Sequence, residues 1–341
     1  MTQRRRSDDD IRVKCAPDVA GLTFRAMRGR RDYPSVARVI NRSLEADHYD
    51  LIQTVEDVAR DIEETPHCNP KKDIVLAEVD NELIGCARVW WEVRRGGFRT
   101  YEHSGYIVPE WRGMGIREAM FDFCENRLTK LAGKQRSTAK KALEVMALFD
   151  ENDWRMLAES KGYMPVRHNI EMIRPLSVPI PNLDLPRGFE LRPVKEEDEH
   201  RIWIDCGDVF KEERNWAKER FGENSYWRFK GSRYWQPELW QAIWQRDELV
   251  AGTINLIDGE ENRKFDRKYG WIGTLFVKRP WRNRGLARTL IARSLEAFKE
   301  IGMEHGALMV DTENPSGAVR LYEKMGFSKV SQYSIFQKPI R

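Results

Sequence analysis

The run Val277-Lys278-Arg279-Pro280-Trp281-Arg282-Asn283-Arg284-Gly285-Leu286-Ala287-Arg288 holds the strongest chemical signal in the chain. It reads as a strand passing through a turn onto a helix, because apolar residues recur at 286, 287, 290, 291, 295 and 298, close to helical spacing. A helix start leaves backbone N–H groups without intrahelical partners, and here Arg282, Arg284 and Arg288 add positive charge around Gly285. The N–H groups of Arg284, Gly285, Leu286 and Ala287 are therefore candidate donors to a phosphate. After the helix comes a β-rich run, 307–312. It is followed by Glu313-Asn314-Pro315-Ser316-Gly317-Ala318-Val319-Arg320-Leu321-Tyr322-Glu323-Lys324-Met325-Gly326-Phe327. Pro315 suits the first turn of a short helix and Gly326 its C-terminal stop.

The same grammar occurs once before. Val108-Pro109-Glu110-Trp111-Arg112-Gly113-Met114-Gly115-Ile116-Arg117 repeats it about 170 residues upstream. A helix over 114–131, a strand over 143–149, Asn152 and a short helix ending at Gly162-Tyr163 follow in the same order. A repeat this long means two whole domains in a chain of 341 residues. Four prolines between 174 and 186 mark a semi-extended linker. The expected division is a loosely attached tail (1–20), an N-terminal domain (21–174), a Pro-rich linker (175–186) and a C-terminal domain (187–341).

The C-terminal copy resembles the GNAT superfamily of acyl-CoA-dependent N-acyltransferases. Arg282-x-x-Gly285-x-Ala287 matches the family's pyrophosphate loop, and Asn314 with Ala318-x-x-Leu321-Tyr322-x-Lys324-x-Gly326-Phe327 matches its second motif. The tandem arrangement is similar to that of mycothiol synthase-type two-domain acetyltransferases. That likeness is weakest on the strand before the loop, where Trp271 stands in place of an acidic residue, so only the architecture is carried over. The two copies are unequal. Arg117 occupies the small-residue position held by Ala287. Aligning Gly162-Tyr163 with Gly326-Phe327 puts Ala158 opposite Tyr322. The N-terminal copy is thus expected to be degenerate and the C-terminal one catalytic, although Arg117 could still pair with a phosphate.

Hairpins are expected from 74–79 with 83–93 and from 239–244 with 249–257, and helices over 196–211 and 216–229. A strand is expected over 269–277, and two closing strands after Phe327. Together they predict an α+β fold with two mixed sheets, each flanked by helices.

The resemblance implies acetyl-CoA as co-substrate and a direct attack by a primary amine in a ternary complex. A backbone N–H at Phe276 or Val277 would stabilise the thioester oxygen as charge develops. The strand there is expected to bulge and splay, with Asn314 bonding the pantetheine arm. Tyr322 is the implied general acid. Its phenol, with an ordinary pKa of about 10, lies close to a thiol at about 8–9. No carboxylate stands on 271–277, so deprotonation of the amine is left to ordered water or to Asp311 or Asp258. Eight of the twelve tryptophans lie beyond residue 187. Trp216, Trp227, Trp235, Trp240 and Trp244 either stack on an acceptor or fill the core. Asp205, Asp208, Glu212 and Glu213 are candidate partners for an amine or simply a solvated helix face.

Composition narrows the rest. With 58 basic and 54 acidic residues the net charge is only +4, which gives no ground for nucleic-acid binding. The five cysteines and six histidines show no metal-ligand spacing, and no apolar run reaches membrane-spanning length. The N-terminus has no secretory pattern. The expectation is a cytoplasmic, metal-free monomer whose tandem halves form a pseudo-dimer. It would act on a small-molecule amine, with a peptide terminus or a non-catalytic acyl-CoA-binding role as alternatives.

Overall fold

The computed structural model describes residues 9–135, 137–211, 221–314 and 317–340. Glu212, Glu213, Trp216 and Pro315 lie outside the described residues. The chain forms two compact units, one of residues 1–166 with 334–341 and the other of residues 167–333.

The first unit contains β1 (Leu22–Ala26), α1 (Tyr33–Ala46), α2 (Val55–Glu64), α3 (Pro70–Asp73), β2 (Ile74–Val79), β3 (Glu82–Val93), β4 (Arg99–Ile107), α4 (Ile116–Lys134), β5 (Lys141–Leu148) and α5 (Asn152–Ser160). Its strands lie in the order β1-β2-β3-β4-β5. The first four run antiparallel, and β5 is parallel to β4 because α4 carries the chain back across the sheet. Strand alternation turns Gly85 toward Met120 of α4, and Cys86 toward the face covered by α1 and α2. Helices therefore cover both faces of this sheet.

The chain leaves this unit along β6 (Met164–Pro175). The second unit then adds β7 (Glu190–Arg192), α6 (Glu196–Phe210), α7 (Glu223–Lys230), β8 (Gln241–Gln245), β9 (Glu248–Leu256), α8 (Gly259–Lys264), β10 (Tyr269–Val277), α9 (Leu286–Glu300), β11 (His305–Asp311), α10 (Ala318–Lys324) and β12 (Ser328–Pro339). Its strand order is β6-β11-β10-β9-β8-β7, with only β10 and β11 parallel.

One expectation is corrected here. The residues after Phe327 form one long strand and not two, because no Gly, Pro, Asn or Asp interrupts 328–338. The compact units change over at 166/167, ahead of the Pro-rich run. Residues 169–175 of β6 pair with β11 in the second unit. The end of β12 pairs in the first, where the Ile340 N–H donates to the Lys141 carbonyl at 3.0 Å. Each unit thus takes its last strand from the sequence half that builds the other. Beyond Pro175, the end of β6, the Pro-rich run forms neither helix nor strand. The Arg174 guanidinium, only 2% exposed, donates to the carbonyls of Pro175 (3.2 Å), Val178 (3.3 Å), Pro179 (2.8 Å) and Met325 (2.8 Å). A proline lacks the N–H for a ladder, and one five-donor side chain gathers the carbonyls instead.

The seating of α9 depends on two glycines. Gly270 of β10 and Gly306 of β11 are register partners. A Cβ on Gly270 would lie 2.4 Å from Phe298, and one on Gly306 would lie 2.3 Å from Leu295, both on α9. Gly306→Ala is expected to destabilise the second unit by about 1–3 kcal/mol through overpacking. Chemical denaturation would measure it.

In the first unit Arg94 is buried against Glu92 (2.9 Å), Glu102 (2.6 Å) and Glu144 (3.6 Å), and Gln337 donates to Glu144 at 2.6 Å. Burial, then the neighbouring Glu144 carboxylate, pushes Glu102 up to about 7 against the pull of Arg94. Burial alone holds the adjacent His103 down at about 3. The folded state therefore holds a proton on Glu102 that the unfolded chain releases between about pH 4.5 and 7, so this group costs stability as pH rises through 7. His103 acts in the opposite sense below about pH 6.5, so the clean observable is a difference. The gain in denaturation midpoint of Glu102→Gln over the wild type is expected to grow from pH 5 to pH 8. A gain that stays constant with pH would count against a protonated Glu102.

Candidate functional site

The ladder between β10 and β11 stops halfway. Pairing runs from Tyr269↔His305 to Ile272↔Leu308 and then ends. Against β9 the register shifts between Ile272 and Thr274, a bulge at Gly273, and resumes from Thr274↔Ile254 to Val277↔Ala251. β11 meanwhile stays paired with β6 as far as Asp311. The far ends of β10 and β11 thus separate within one sheet.

Backbone alternation decides which groups face the opening. The Lys278 N–H donates to the Val250 carbonyl at 2.9 Å, so Lys278 and Phe276 turn their polar groups toward β9. Leu275 and Val277 turn theirs toward the gap. On the other rail the Thr312 N–H donates to the His168 carbonyl at 3.0 Å, which leaves Met309 facing the gap. Phe276 sends its ring into the core at 1% exposure.

Just beyond Val277 the chain passes through a turn of 3₁₀ helix over Arg279–Trp281 and enters α9. Gly285 caps α9 in the left-handed region at φ 84°, with no side-chain cap, and nothing lies within 4 Å of where its Cβ would stand. Leu286 is buried and anchors the helix, whereas Arg282, Arg284 and Arg288 are exposed. Among the described residues, neither Arg284 nor Arg288 takes part in an ion pair. The open cradle, the helix head and these guanidinium groups suit a pyrophosphate.

Tyr322 lies on α10, 8% exposed, in one cluster with Ile272, Val310 and Phe327. α10 begins only at Ala318, because Gly317 before it is left-handed at φ 70°. Asn314 sits in the turn after β11, where its N–H donates to the Asp311 carbonyl at 3.2 Å. Asp311 ends β11, half-buried. Its Oδ1 accepts from the Glu313 N–H at 2.9 Å and its Oδ2 lies 3.8 Å from Arg167. Asp258 is fully engaged as the cap of α8 and the partner of Arg233 at 2.7 Å. Asp208 pairs with Lys211 on the surface. Asp205 lies 2.7 Å from Lys278, a contact that sequence spacing could not reveal.

Most of the aromatic load packs on itself. Trp203 stacks on Phe229 at 5.2 Å and Trp235 meets Trp240 edge-on at 4.8 Å. Trp203, Tyr226, Trp240 and Trp244 are buried, and Trp227 alone of these rings is widely exposed, at 59%.

The first unit repeats the splay and fills it. Its β4–β5 ladder ends at His103↔Val145. Arg117, 6% exposed, donates to the Gly105 carbonyl at 2.9 and 3.2 Å, pairs with Glu151, and stacks over Trp154 at 4.5 Å. The Trp154 indole N–H donates to the Met146 carbonyl at 3.0 Å on the opposite rail. Burial raises the Glu151 pKa against the pull of Arg117. Arg112, the counterpart of Arg282, is held by both oxygens of Asp47 at 2.7 Å. Pro17 lies 3.4 Å from the Cβ position of Gly115, which roofs the loop. Trp154 could have been anticipated, since the alignment that puts Ala158 opposite Tyr322 also puts Trp154 opposite Ala318.

Comparison with known proteins agrees with this geometry. The Acetyltransferase (GNAT) family profile matches residues 40–150 and 201–327. The chain is 26% identical over 244 residues to the mycothiol acetyltransferase of Salinispora arenicola, covering 68% of this chain and 71% of that protein. It is 23% identical over 261 residues to that of Kocuria rhizophila, covering 75% and 80%. Among solved structures, a GCN5-related N-acetyltransferase from Sphaerobacter thermophilus superposes with a TM-score of 0.70 at 26% identity, over 95% of this chain and 97% of that one. A tandem GNAT protein from the clavulanic acid biosynthesis pathway shares the fold at a TM-score of 0.64 and 14% identity, over 93% and 98%. Two GNAT-matched regions, mixed strands that splay in each unit, and one open loop at a helix head make this chain a tandem-domain acetyltransferase of the GNAT family.

Proposed function

We propose that the second unit transfers an acetyl group from acetyl-CoA to a primary amine of a small molecule, and that the first unit has no CoA site. The observation that supports this most is the contrast between the two gaps. Side chains of the chain itself satisfy the rails of one, while the other has Ala287 and Ala318 at the corresponding positions. The CoA thioester supplies an activated acyl carbon.

In this reading the Arg284 to Ala287 backbone and the guanidinium groups of Arg282, Arg284 and Arg288 hold the pyrophosphate at the head of α9. The Asn314 side chain and the gap-facing groups of Leu275 and Met309 orient the pantetheine arm. The Val277 N–H donates to the thioester oxygen as negative charge gathers there. Phe276, its N–H turned to β9, contributes packing. Tyr322 gives its phenolic proton to the departing sulfur. Asp311, at the rim of the opening, relays the amine proton through water. The acceptor is a small molecule, as the names of the mycothiol acetyltransferase relatives suggest.

A second reading takes a peptide N-terminus as acceptor. It draws on 32% identity over 99 residues to an Arabidopsis thaliana N-alpha-acetyltransferase MAK3, a match covering 29% of this chain and 50% of that protein. Thiol release measured across an amine library and a peptide library separates the two.

Tyr322→Phe is expected to lower kcat by about 10²–10⁴-fold while acetyl-CoA binding is kept. An unchanged kcat would remove Tyr322 as the acid. Calorimetric titration of acetyl-CoA into the intact chain should give one site, lost in Gly285→Glu, which combines a strained φ with a carboxylate where phosphates would sit. Two sites, one surviving the substitution, would overturn the assignment for the first unit.

A further inference from the structure

The first unit closes its cofactor gap but leaves a cavity on the opposite face of the same strands. A pocket of about 100 Å³ lies between α1, α2 and the β3–β4 pair. Its apolar wall includes Val36, Ile40, Leu44, Val58 and Ile62, and its floor carries Cys86, Ser104 and Tyr106. The corresponding face of the second unit is packed with Trp203, Tyr226, Trp240 and Phe276. The first unit therefore has space where its twin has rings.

The chemistry of this cavity is that of a small-molecule site. Among the described residues, the hydroxyls of Ser104 and Tyr106 make no hydrogen bond, although both residues line the cavity. Both residues are part-exposed, so a ligand seated in the cavity would take the place of water on these hydroxyls. The walls are fixed in advance. Asn41 on α1 exchanges hydrogen bonds with the Gln53 backbone at 2.9 and 2.8 Å, which ties down the loop ahead of α2. Thr54 and Asp57 close a reciprocal cap on α2. At the cavity lining Arg88 donates to the Asp61 carbonyl at 2.9 Å and lies 4.8 Å from the Trp90 ring centre, so its charge is already engaged. Burial pushes the Cys86 thiol up to about 12, which leaves it a packing group.

We infer that the first unit binds a small, uncharged, ring-sized molecule carrying a hydroxyl or carbonyl, received by Tyr106 and Ser104, and that this site is separate from acetyl transfer. A volume of this order is comparable to the roughly 150 Å³ cavity known to accept benzene.

Phenol titrated into the full-length protein, followed by saturation-transfer NMR and calorimetry, tests the inference. One saturable site is expected. Tyr106→Phe should weaken it about tenfold, the loss of one hydrogen bond. Ile40→Phe, which fills the cavity, should abolish phenol binding and leave acetyl-CoA binding unchanged. The absence of saturable phenol binding would overturn the inference, as would phenol binding that survives Ile40→Phe. If Ile40→Phe does not fold, Tyr106→Phe decides alone: unweakened binding refutes the site.

Discussion

The end of the β10–β11 ladder at Ile272↔Leu308 is the constraint on which the rest of the second unit depends. Past that point two strands of one sheet diverge, and the backbone groups of Leu275, Val277 and Met309 face an opening. A polar group left without a partner in a protein interior costs about 1–3 kcal/mol. The sheet can carry such an opening only where water, a ligand or a side chain completes it. The bulge at Gly273 makes the divergence possible, since the extra residue lets β10 bend while its ladder with β9 continues. The Gly270 and Gly306 pair lets α9 lie close to both strands just before they part, which fixes the helix head at the mouth of the opening.

The two units show two answers to the same cost. In the second, Ala287 and Ala318 stand at the positions of Arg117 and Trp154, and Arg282 donates to the Val277 carbonyl at 3.1 Å. In the first, Arg117 and Trp154 supply the donors that the Gly105 and Met146 carbonyls need. This filling has become structural. Arg117, Glu151 and Trp154 form a buried charge pair under an aromatic ring, and breaking such a pair by removing one partner typically costs about 3–5 kcal/mol. The same two side chains that fill the gap thus give the first unit internal support. Arg112 is likewise engaged within the unit: its guanidinium is neutralised by a bidentate Asp47.

What could be read in the sequence, and what could not, follows from how far each signal reaches along the chain. The strand–turn–helix at 277–288, the α10 segment with Tyr322 and the repeat near residue 108 are local patterns, and the structure forms each of those elements. The bulge was expected from family resemblance, but its position at Gly273 depends on the partner strand and has no marker of its own. Whether Phe276 or Val277 faces the opening depends on strand alternation counted from Lys278, which a motif does not carry. The destinations of β6 and β12 were hidden for a similar reason. The Pro-rich run looks like a boundary, yet pairing partners set the boundary of a compact unit, and those lie more than a hundred residues away.

The aromatic residues show how burial changes the meaning of composition. Eight tryptophans beyond residue 187 suggest a stacking pocket until their contacts are known, and then most of them prove to be one another's neighbours. A face filled with Trp203, Tyr226 and Trp240 is packed by its own rings, and Asp205 pairs with Lys278 at 2.7 Å. Asp205 thus holds a cation already. The first unit keeps an apolar cavity whose floor carries Cys86, Ser104 and Tyr106. The two copies therefore differ in what they leave open: the strands of the ladder in the second, an apolar cavity in the first.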